Sequence, residues 1–177
     1  DTYASFGEEL FESHIAKQIY PESRALVQAH LRKGHTVAIV TSATRYQADP
    51  VAKELGIDHV LHTRLEVEDG VLTGEVIRPT CYGEGKADAA RSLQAKYGLD
   101  LEESTFYSDS HEDLPLFELV GKPRPLNPSR RLAQIAKERQ WPVRRFTSRG
   151  TPTAGEVVRT GLIYAALAPA VGVGLAA

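Results

Sequence analysis

Residues 105–120, TFYSDSHEDLPLFELV, indicate the fold class of this chain. Thr105-Phe106-Tyr107 is a short, mostly apolar and aromatic run, which is typical of a strand buried within a sheet. The apolar residues from Leu114 to Val120 recur at helical spacing. A loop of serines and acids separates the two segments. A buried strand, a polar loop and a helix in that order form the repeating unit of α/β proteins.

A second unit of the same kind lies earlier in the chain. Thr36 to Val40 (TVAIV) is a nearly continuous apolar run that predicts a strand covered on both faces. The polar stretch 41–44 and a helix ending before Gly56 follow it. Residues 64–78 predict a hairpin around Asp69-Gly70. Further helices are predicted over 5–18, 21–33, 85–97 and 129–139, and further strands at 60–61, 124–127 and 143–146. The chain is therefore an α/β protein with a mainly parallel sheet and flanking helices.

Composition limits the function classes. The chain has 177 residues and is 42% hydrophobic, which suits one domain with a real core. The net charge of -2 implies no general attraction to nucleic acid, so we expect no nucleic-acid partner. Cys81 is the single cysteine, so no internal disulfide forms and a reducing, cytoplasmic location is expected.

The loops after the two strands carry candidate chemistry. Thr41 and Ser42 can hold a phosphate oxygen through a hydroxyl and backbone N–H groups, or one of them can be an ordinary helix N-cap. Asp109 and Asp113 can ligate Mg²⁺ through carboxylate oxygens. The alternative for the second loop is helix capping, because Ser110 stands three residues before Asp113.

Lys86 is the third candidate. It lies in the first turn of a predicted helix, directly after Gly83-Glu84-Gly85. A cation there opposes the helix dipole at a cost of roughly 0.3–1 kcal/mol. Either an anion lies opposite Lys86, or the side chain points into solvent.

Taken together, these segments resemble motifs II, III and IV of the haloacid dehalogenase superfamily, closest to its phosphoserine-phosphatase-like subclass. The resemblance covers about residues 8–146. It is carried by VAIVTSAT (37–44), ELGIDHVLHTRLEVEDGVLTGEV (54–76) and the stretch from Ser108 to Val143 that begins SDSHEDLPLFELVGKPRPLNP.

The resemblance implies a Rossmann-like sheet and a Mg²⁺-dependent phosphomonoester hydrolase that acts on a small phosphorylated metabolite through an aspartyl-phosphate. Thr41 would bind the phosphoryl group with the Ser42 N–H. Lys86 would neutralise its charge and hold the nucleophile. Asp109 would bind Mg²⁺ directly, and Asp113 would support the metal shell or Lys86.

The chain departs from this family in one respect. The family's D-x-D-x-T motif, which carries the nucleophilic aspartate, does not occur in the sequence. The resemblance places the missing strand between the strands that end near Thr41 and Asp109. We therefore expect a chain truncated at its N-terminus, without the central strand and most of the helical cap, and inactive alone. The two strands either pair directly or leave a gap that something else fills.

The predicted organisation is a cap remnant (1–20), an incomplete phosphatase core (21–146), a linker (147–159) and an uncharged segment (160–177). The last segment predicts an apolar helix that contacts or spans a membrane, or else a core or tail segment. Preceding arginines would keep the globular part on the cytoplasmic side: Arg144, Arg145, Arg149 and Arg159. This architecture resembles the front of a phospholipid-synthesis acyltransferase, so an alternative function is an inactive fragment or a phosphate-binding accessory module of such a membrane-associated protein.

Overall fold

The computed structural model describes residues 2–147 and 164–169, and the following elements belong to those ranges. The helices are α1 (Thr2–Leu10), α2 (Pro21–Arg32), α3 (Arg45–Leu55), α4 (Glu84–Tyr97), α5 (Leu114–Leu119) and α6 (Arg130–Glu138). A π-helical turn (Phe11–Ile15) and a 3-10 turn (Ala16–Gln18) continue α1, and a 3-10 turn (His111–Asp113) precedes α5. The strands are β1 (Thr36–Thr44), β2 (His59–Glu68), β3 (Val71–Ile77), β4 (Leu99–Ser108), β5 (Lys122–Pro125) and β6 (Tyr164–Pro169).

The strands form one sheet in the order β3-β2-β1-β6-β4-β5. β1 pairs in parallel with β2, and β4 pairs in parallel with β5. β6 is antiparallel to both β1 and β4, so these two strands run in the same direction. Their carboxyl ends therefore lie at the same edge of the sheet, where ligands bind in open α/β proteins. The predicted α/β class with flanking helices is confirmed.

The centre of the sheet differs from the expectation for residues 160–177. The prediction of an apolar helix is wrong for Tyr164–Pro169, because these residues form strand β6. The rest of residues 160–177 lies outside the described residues. The cause is the gap between β1 and β4, because unpaired backbone groups in a buried gap cost about 1–3 kcal/mol each. The expectation that something else fills the gap is thus confirmed. Among the described residues, no helix is long and apolar enough to cross a bilayer.

Helices cover the two faces of the sheet. Alternate residues of β1 point to opposite faces, as the period of a strand requires. Val40 joins Phe106 and Leu116 in one buried cluster, beneath α4, α5 and α6. Ile39 joins Val51 in the other cluster, beneath α2 and α3. Burying each such side chain contributes roughly 1.5–3 kcal/mol, so the two clusters fix the strands that carry the candidate site.

The predicted hairpin is confirmed between β2 and β3, which pair antiparallel. Asp69 and Gly70 both have positive φ, at 50° and 78°. A two-residue hairpin turn of this type requires that conformation. The strand predicted at 60–61 is continuous with the hairpin arm. In contrast, the strand predicted at 143–146 is reduced to one bridge between Leu126 and Arg144.

Candidate active site

Polar side chains gather where β1 and β4 end. Thr41 is almost fully buried near the end of β1, whereas the neighbouring Ser42 is exposed. On β4 the last residue, Ser108, is buried and Asp109 behind it is exposed. Each strand is thus buried as far as Thr41 or Ser108 and exposed at the next residue, which gives this edge both a closed floor and an open surface.

The floor of the site is a buried ion pair. Lys86 Nζ donates to Asp113 Oδ1 at 2.6 Å, and the two residues are 3% and 1% exposed. The hydroxyl of Ser108 donates to Asp113 Oδ2, also at 2.6 Å. Both carboxylate oxygens therefore have a donor. The solvated alternative for Lys86 is wrong, because the side chain points from the first turn of α4 into the protein.

Burying such an ion pair costs free energy. Removing two charges from water costs several kcal/mol for each ion, and only good geometry and further hydrogen bonds offset the loss. Ser108 provides the further bond, and its oxygen also accepts from the Ser110 N–H at 3.1 Å. The loop after β4 is thus connected by hydrogen bonds, through Ser108 and Asp113, to the ammonium group of Lys86 on α4. An ammonium group held in this way is positioned to stabilise an anion at the same edge of the sheet.

The close approach of α4 depends on a glycine. A Cβ atom on Gly85 would lie 1.9 Å from the carbonyl oxygen of Thr80. No side chain is tolerated at that distance. Gly85 therefore allows the first turn of α4 to pack against the preceding loop and so places Lys86.

Thr41 is not the helix cap that the sequence allowed. The N-cap of α3 is Thr44, whose N–H donates to Gln47 Oε1 at 3.3 Å. Thr41 Oγ1 instead accepts from the N–H of Ala43 at 3.1 Å. This turn places the Thr41 side chain on the floor of the site, so the capping alternative for Thr41 and Ser42 is wrong.

Cys81 links Thr41 and Lys86. Burial raises the pKa of its thiol to about 11, while the charge of Lys86 and a hydrogen bond with the Thr41 backbone act in the opposite direction. Its N–H donates to Thr63 Oγ1 at 3.2 Å. The thiol donates to the Leu61 carbonyl of β2 at 3.5 Å, so Cys81 packs against β2 beside the site. Sequence reasoning gave Cys81 no part in the site, and a lone cysteine offers no signal that would have done so.

The rim of the site is formed by Tyr82 and Glu112, which sequence reasoning also missed. A hydrogen bond from Tyr82 lowers the pKa of the Glu112 carboxyl, and the same bond raises the pKa of Tyr82. The Ser110 hydroxyl also contacts Glu112 Oε2, at 3.3 Å. The contacts join the loop before α4 to the loop after β4. Nothing in the local sequence pattern indicates this pairing, since the two residues are far apart in the chain.

Asp109 and Asp113 have different surroundings. Asp109 is exposed, and its carbonyl oxygen accepts from the Ser129 N–H at 2.8 Å. Asp113 is buried beneath it and engaged by Lys86 and Ser108. No three or more His, Cys, Asp or Glu side chains within 2–147 are arranged to hold a metal ion. The geometry thus makes Asp113 a partner of Lys86, and a direct metal bond from Asp113 stays a prediction.

The buried side chains of Thr41, Lys86 and Asp113 lie at the carboxyl ends of β1 and β4, so the chain is an α/β protein with a polar site at the edge where ligands bind in this fold. Residues 2–118 match the family model described as haloacid dehalogenase-like hydrolase. The chain belongs to that family.

Two curated proteins named as phosphatases and one solved structure are similar to this chain. Phosphoserine phosphatase SerB1 of Mycobacterium tuberculosis is 38% identical over 170 residues, which cover 93% of this chain and 55% of that protein. A histidinol-phosphatase of Neisseria meningitidis is 36% identical over 147 residues, covering 81% and 66%. A Bordetella pertussis protein of unknown function has a similar structure, with a TM-score of 0.75 and 33% identity over 80% of this chain and 65% of that one.

The chain spans about half the length of the first curated relatives that it matches. The matched relatives named here as enzymes are phosphatases, and they carry different substrate names. The comparisons therefore establish a hydrolase family with phosphatase homologues of the phosphoserine-phosphatase type.

Proposed function

We propose that this chain forms the phosphate-binding part of a phosphomonoester hydrolase that works through an aspartyl-phosphate. The observation that carries the proposal is the buried ammonium group of Lys86, held 2.6 Å from Asp113 at the carboxyl ends of β1 and β4. A preorganised cation in a dry site stabilises the charge that develops on a transferring phosphoryl group.

Each residue then has a distinct role. Lys86 neutralises the phosphoryl charge and orients the nucleophile, and Asp113 fixes Lys86. Thr41 binds a phosphoryl oxygen together with the N–H of Ser42. The nucleophile itself is not among these residues, because D-x-D-x-T does not occur in the sequence. Covalent catalysis by the family mechanism thus needs an aspartate from another segment.

Mg²⁺ is the cofactor that the family implies. It prefers six oxygen ligands in octahedral geometry. Asp109 fits as one ligand, since it is an exposed carboxylate at the end of β4. Asp113 does not fit as readily, because both of its oxygens are engaged. The residues of this chain thus complete only part of a Mg²⁺ shell, and the ion would supply charge neutralisation once the remaining ligands are present.

The substrate class is a small phosphorylated metabolite. Relatives named for phosphoserine and for histidinol phosphate both match this chain, so the name of one relative does not select the substrate. The selective part of this fold lies in the cap, of which the chain carries at most residues 1–20.

The test is hydrolysis of p-nitrophenyl phosphate with and without Mg²⁺. It compares this chain with the same chain carrying the residues encoded in frame before Asp1. We expect turnover only in the extended protein, lost in Lys86→Ala and in Asp109→Ala but retained in Lys122→Ala. Mg²⁺-dependent turnover by the shorter chain that disappears in Asp109→Ala would contradict the proposal. So would full activity of extended Lys86→Ala.

A second candidate is phosphate binding without hydrolysis, as an inactive or accessory module. β6 favours it, because a strand without an aspartate occupies the centre of the sheet. Calorimetry with inorganic phosphate distinguishes the two candidates. Binding that needs Lys86 in both proteins, with turnover in neither, would favour the accessory module.

A further inference from the structure

Charge is divided unevenly along the chain. Residues 1–119 contain 11 lysines or arginines and 21 acidic residues. Residues 120–147 contain eight lysines or arginines and one acidic residue, Glu138. The small net charge of the whole chain therefore hides a basic segment joined to an acidic one.

The fold places the basic segment at one edge of the sheet. β5 is the last strand in the sheet order, and the chain returns beyond it after α6. There the Arg144 N–H donates to the Pro125 carbonyl and the Asn127 N–H donates to the Arg144 carbonyl, both at 2.9 Å. Residues from β5, α6 and the returning segment thus share one edge of the molecule.

Five exposed cations at this edge have no ion pair with any residue in the described ranges. We call them the basic edge: Arg130, Arg131, Lys137, Arg144 and Arg145. By contrast, Lys122 is paired with Glu103 and Arg139 with Glu118. The basic edge therefore keeps its positive charge in the folded protein.

The position of two of these arginines is unfavourable for the helix itself. Arg130 and Arg131 open α6, whose first turn contains no acid. Cations at a helix N-terminus oppose the helix dipole and are disfavoured there. An anionic partner at this edge would offset that cost.

The surface around the basic edge indicates the kind of partner. Val143 is 40% exposed and precedes Arg144, so an apolar side chain stands among the cations. The strongly exposed aromatic residues of the described chain lie elsewhere, at Tyr3, Phe6, Tyr82 and Tyr97. Trp141 stacks on Phe117 with ring centroids 5.3 Å apart. Single-stranded nucleic acid needs exposed stacking platforms, whereas an anionic bilayer attracts clustered cations beside apolar side chains.

We propose that the basic edge binds the surface of a bilayer that contains anionic phospholipids. The surface does not include β6 or the buried Lys86, and it adjoins the loop after β4 through the hydrogen bond from the Ser129 N–H to the Asp109 carbonyl. Each lysine or arginine near such a bilayer contributes about 1 kcal/mol, equivalent to about fivefold in the partition constant.

The test is cosedimentation of the full chain with phosphatidylcholine vesicles, with and without phosphatidylglycerol. The variant reverses four charges: Arg130→Glu, Arg131→Glu, Arg144→Glu and Arg145→Glu. A control, Lys17→Glu with Arg64→Glu, changes exposed cations of the acidic segment. Circular dichroism melting shows whether each variant is folded. Should the fourfold variant not fold, the Arg144→Glu, Arg145→Glu pair replaces it.

We expect salt-sensitive binding to phosphatidylglycerol vesicles alone, roughly a hundredfold or more weaker in the fourfold variant and nearly unchanged in the control. Equal binding to both vesicle types would overturn the proposal. Unchanged binding by the folded charge-reversal variant would also overturn it, as would binding to an oligonucleotide but not to vesicles.

Discussion

Replacement of Lys86 by methionine tests the buried ion pair directly. Methionine keeps most of the side-chain volume but removes the charge, which leaves the Asp113 carboxylate buried, at 1% exposure, with the hydrogen bond from the Ser108 hydroxyl. Breaking a buried pair from one side costs about 3–5 kcal/mol. We expect Lys86→Met to lower the free energy of unfolding by that amount.

The chain contains a matched control. Lys122 Nζ lies 2.5 Å from Glu103 Oε2, nearly the same distance as in the buried pair, but the two side chains are 42% and 57% exposed. An exposed pair contributes about 0–1 kcal/mol. Lys122→Met should therefore change stability little, so that burial and not distance accounts for the difference between the two variants.

Urea denaturation followed by circular dichroism measures both variants, and a third one separates charge from packing. Lys86→Met with Asp113→Leu removes both charges, so it should recover much of the loss, apart from about 1 kcal/mol for the partner that Ser108 loses. Equal effects of Lys86→Met and Lys122→Met would refute the reasoning. A double variant as unstable as Lys86→Met alone would show that the loss comes from packing.

Three further expectations concern other residues. Gly85→Ala should lower the free energy of unfolding by about 1–3 kcal/mol in urea, because its Cβ would lie 1.9 Å from the Thr80 carbonyl oxygen. Burial lowers the pKa of His30 from its usual 6.5. Just below that pH the unfolded state therefore binds more protons than the folded state, so the free energy of unfolding rises as the pH increases toward 6.5. His30→Gln should flatten this rise in pH-dependent melting, and an unchanged pH dependence in that variant would contradict the expectation. The Cys81 thiol, with its pKa raised to about 11, should react with iodoacetamide at pH 8 about a hundredfold more slowly than an ordinary thiol and should become reactive in urea; rapid labelling of the native chain would contradict its burial.

The strand and loop pattern could be predicted because local sequence determines it. The apolar run 36–40, the Asp69-Gly70 turn and the helix over 85–97 each follow from short-range preferences. Thr41 was also predicted as a candidate because it follows a buried strand, and Lys86 because a cation in the first turn of a helix opposes the helix dipole. The local sequence pattern therefore predicts where along the chain the candidate site residues stand.

The partners of those residues could not be predicted. Asp113 lies 27 residues after Lys86. Ser110 does cap the turn before α5, because its hydroxyl oxygen accepts from the Glu112 N–H at 3.3 Å, so the capping alternative and the ion pair hold together. Only tertiary packing brings Lys86 to the Asp113 carboxylate. The uncharged stretch 160–177 is similarly ambiguous, because it has no periodicity that separates helix from strand. The open edges of β1 and β4, which no local pattern shows, select the strand at 164–169.

The central position of β6 leads to a competition that hydrogen exchange can measure. β6 uses the facing edges of β1 and β4, the place where the family resemblance puts the strand with the nucleophilic aspartate. Two strands cannot pair with the same edges at once. In the extended protein, a parallel strand that ends in D-x-D-x-T should therefore displace β6, and the amides of residues 164–168 should lose protection while those of β1 keep it. Protection of 164–168 in an active extended protein would show that both strands are accommodated and that the gap is not the site of the missing strand.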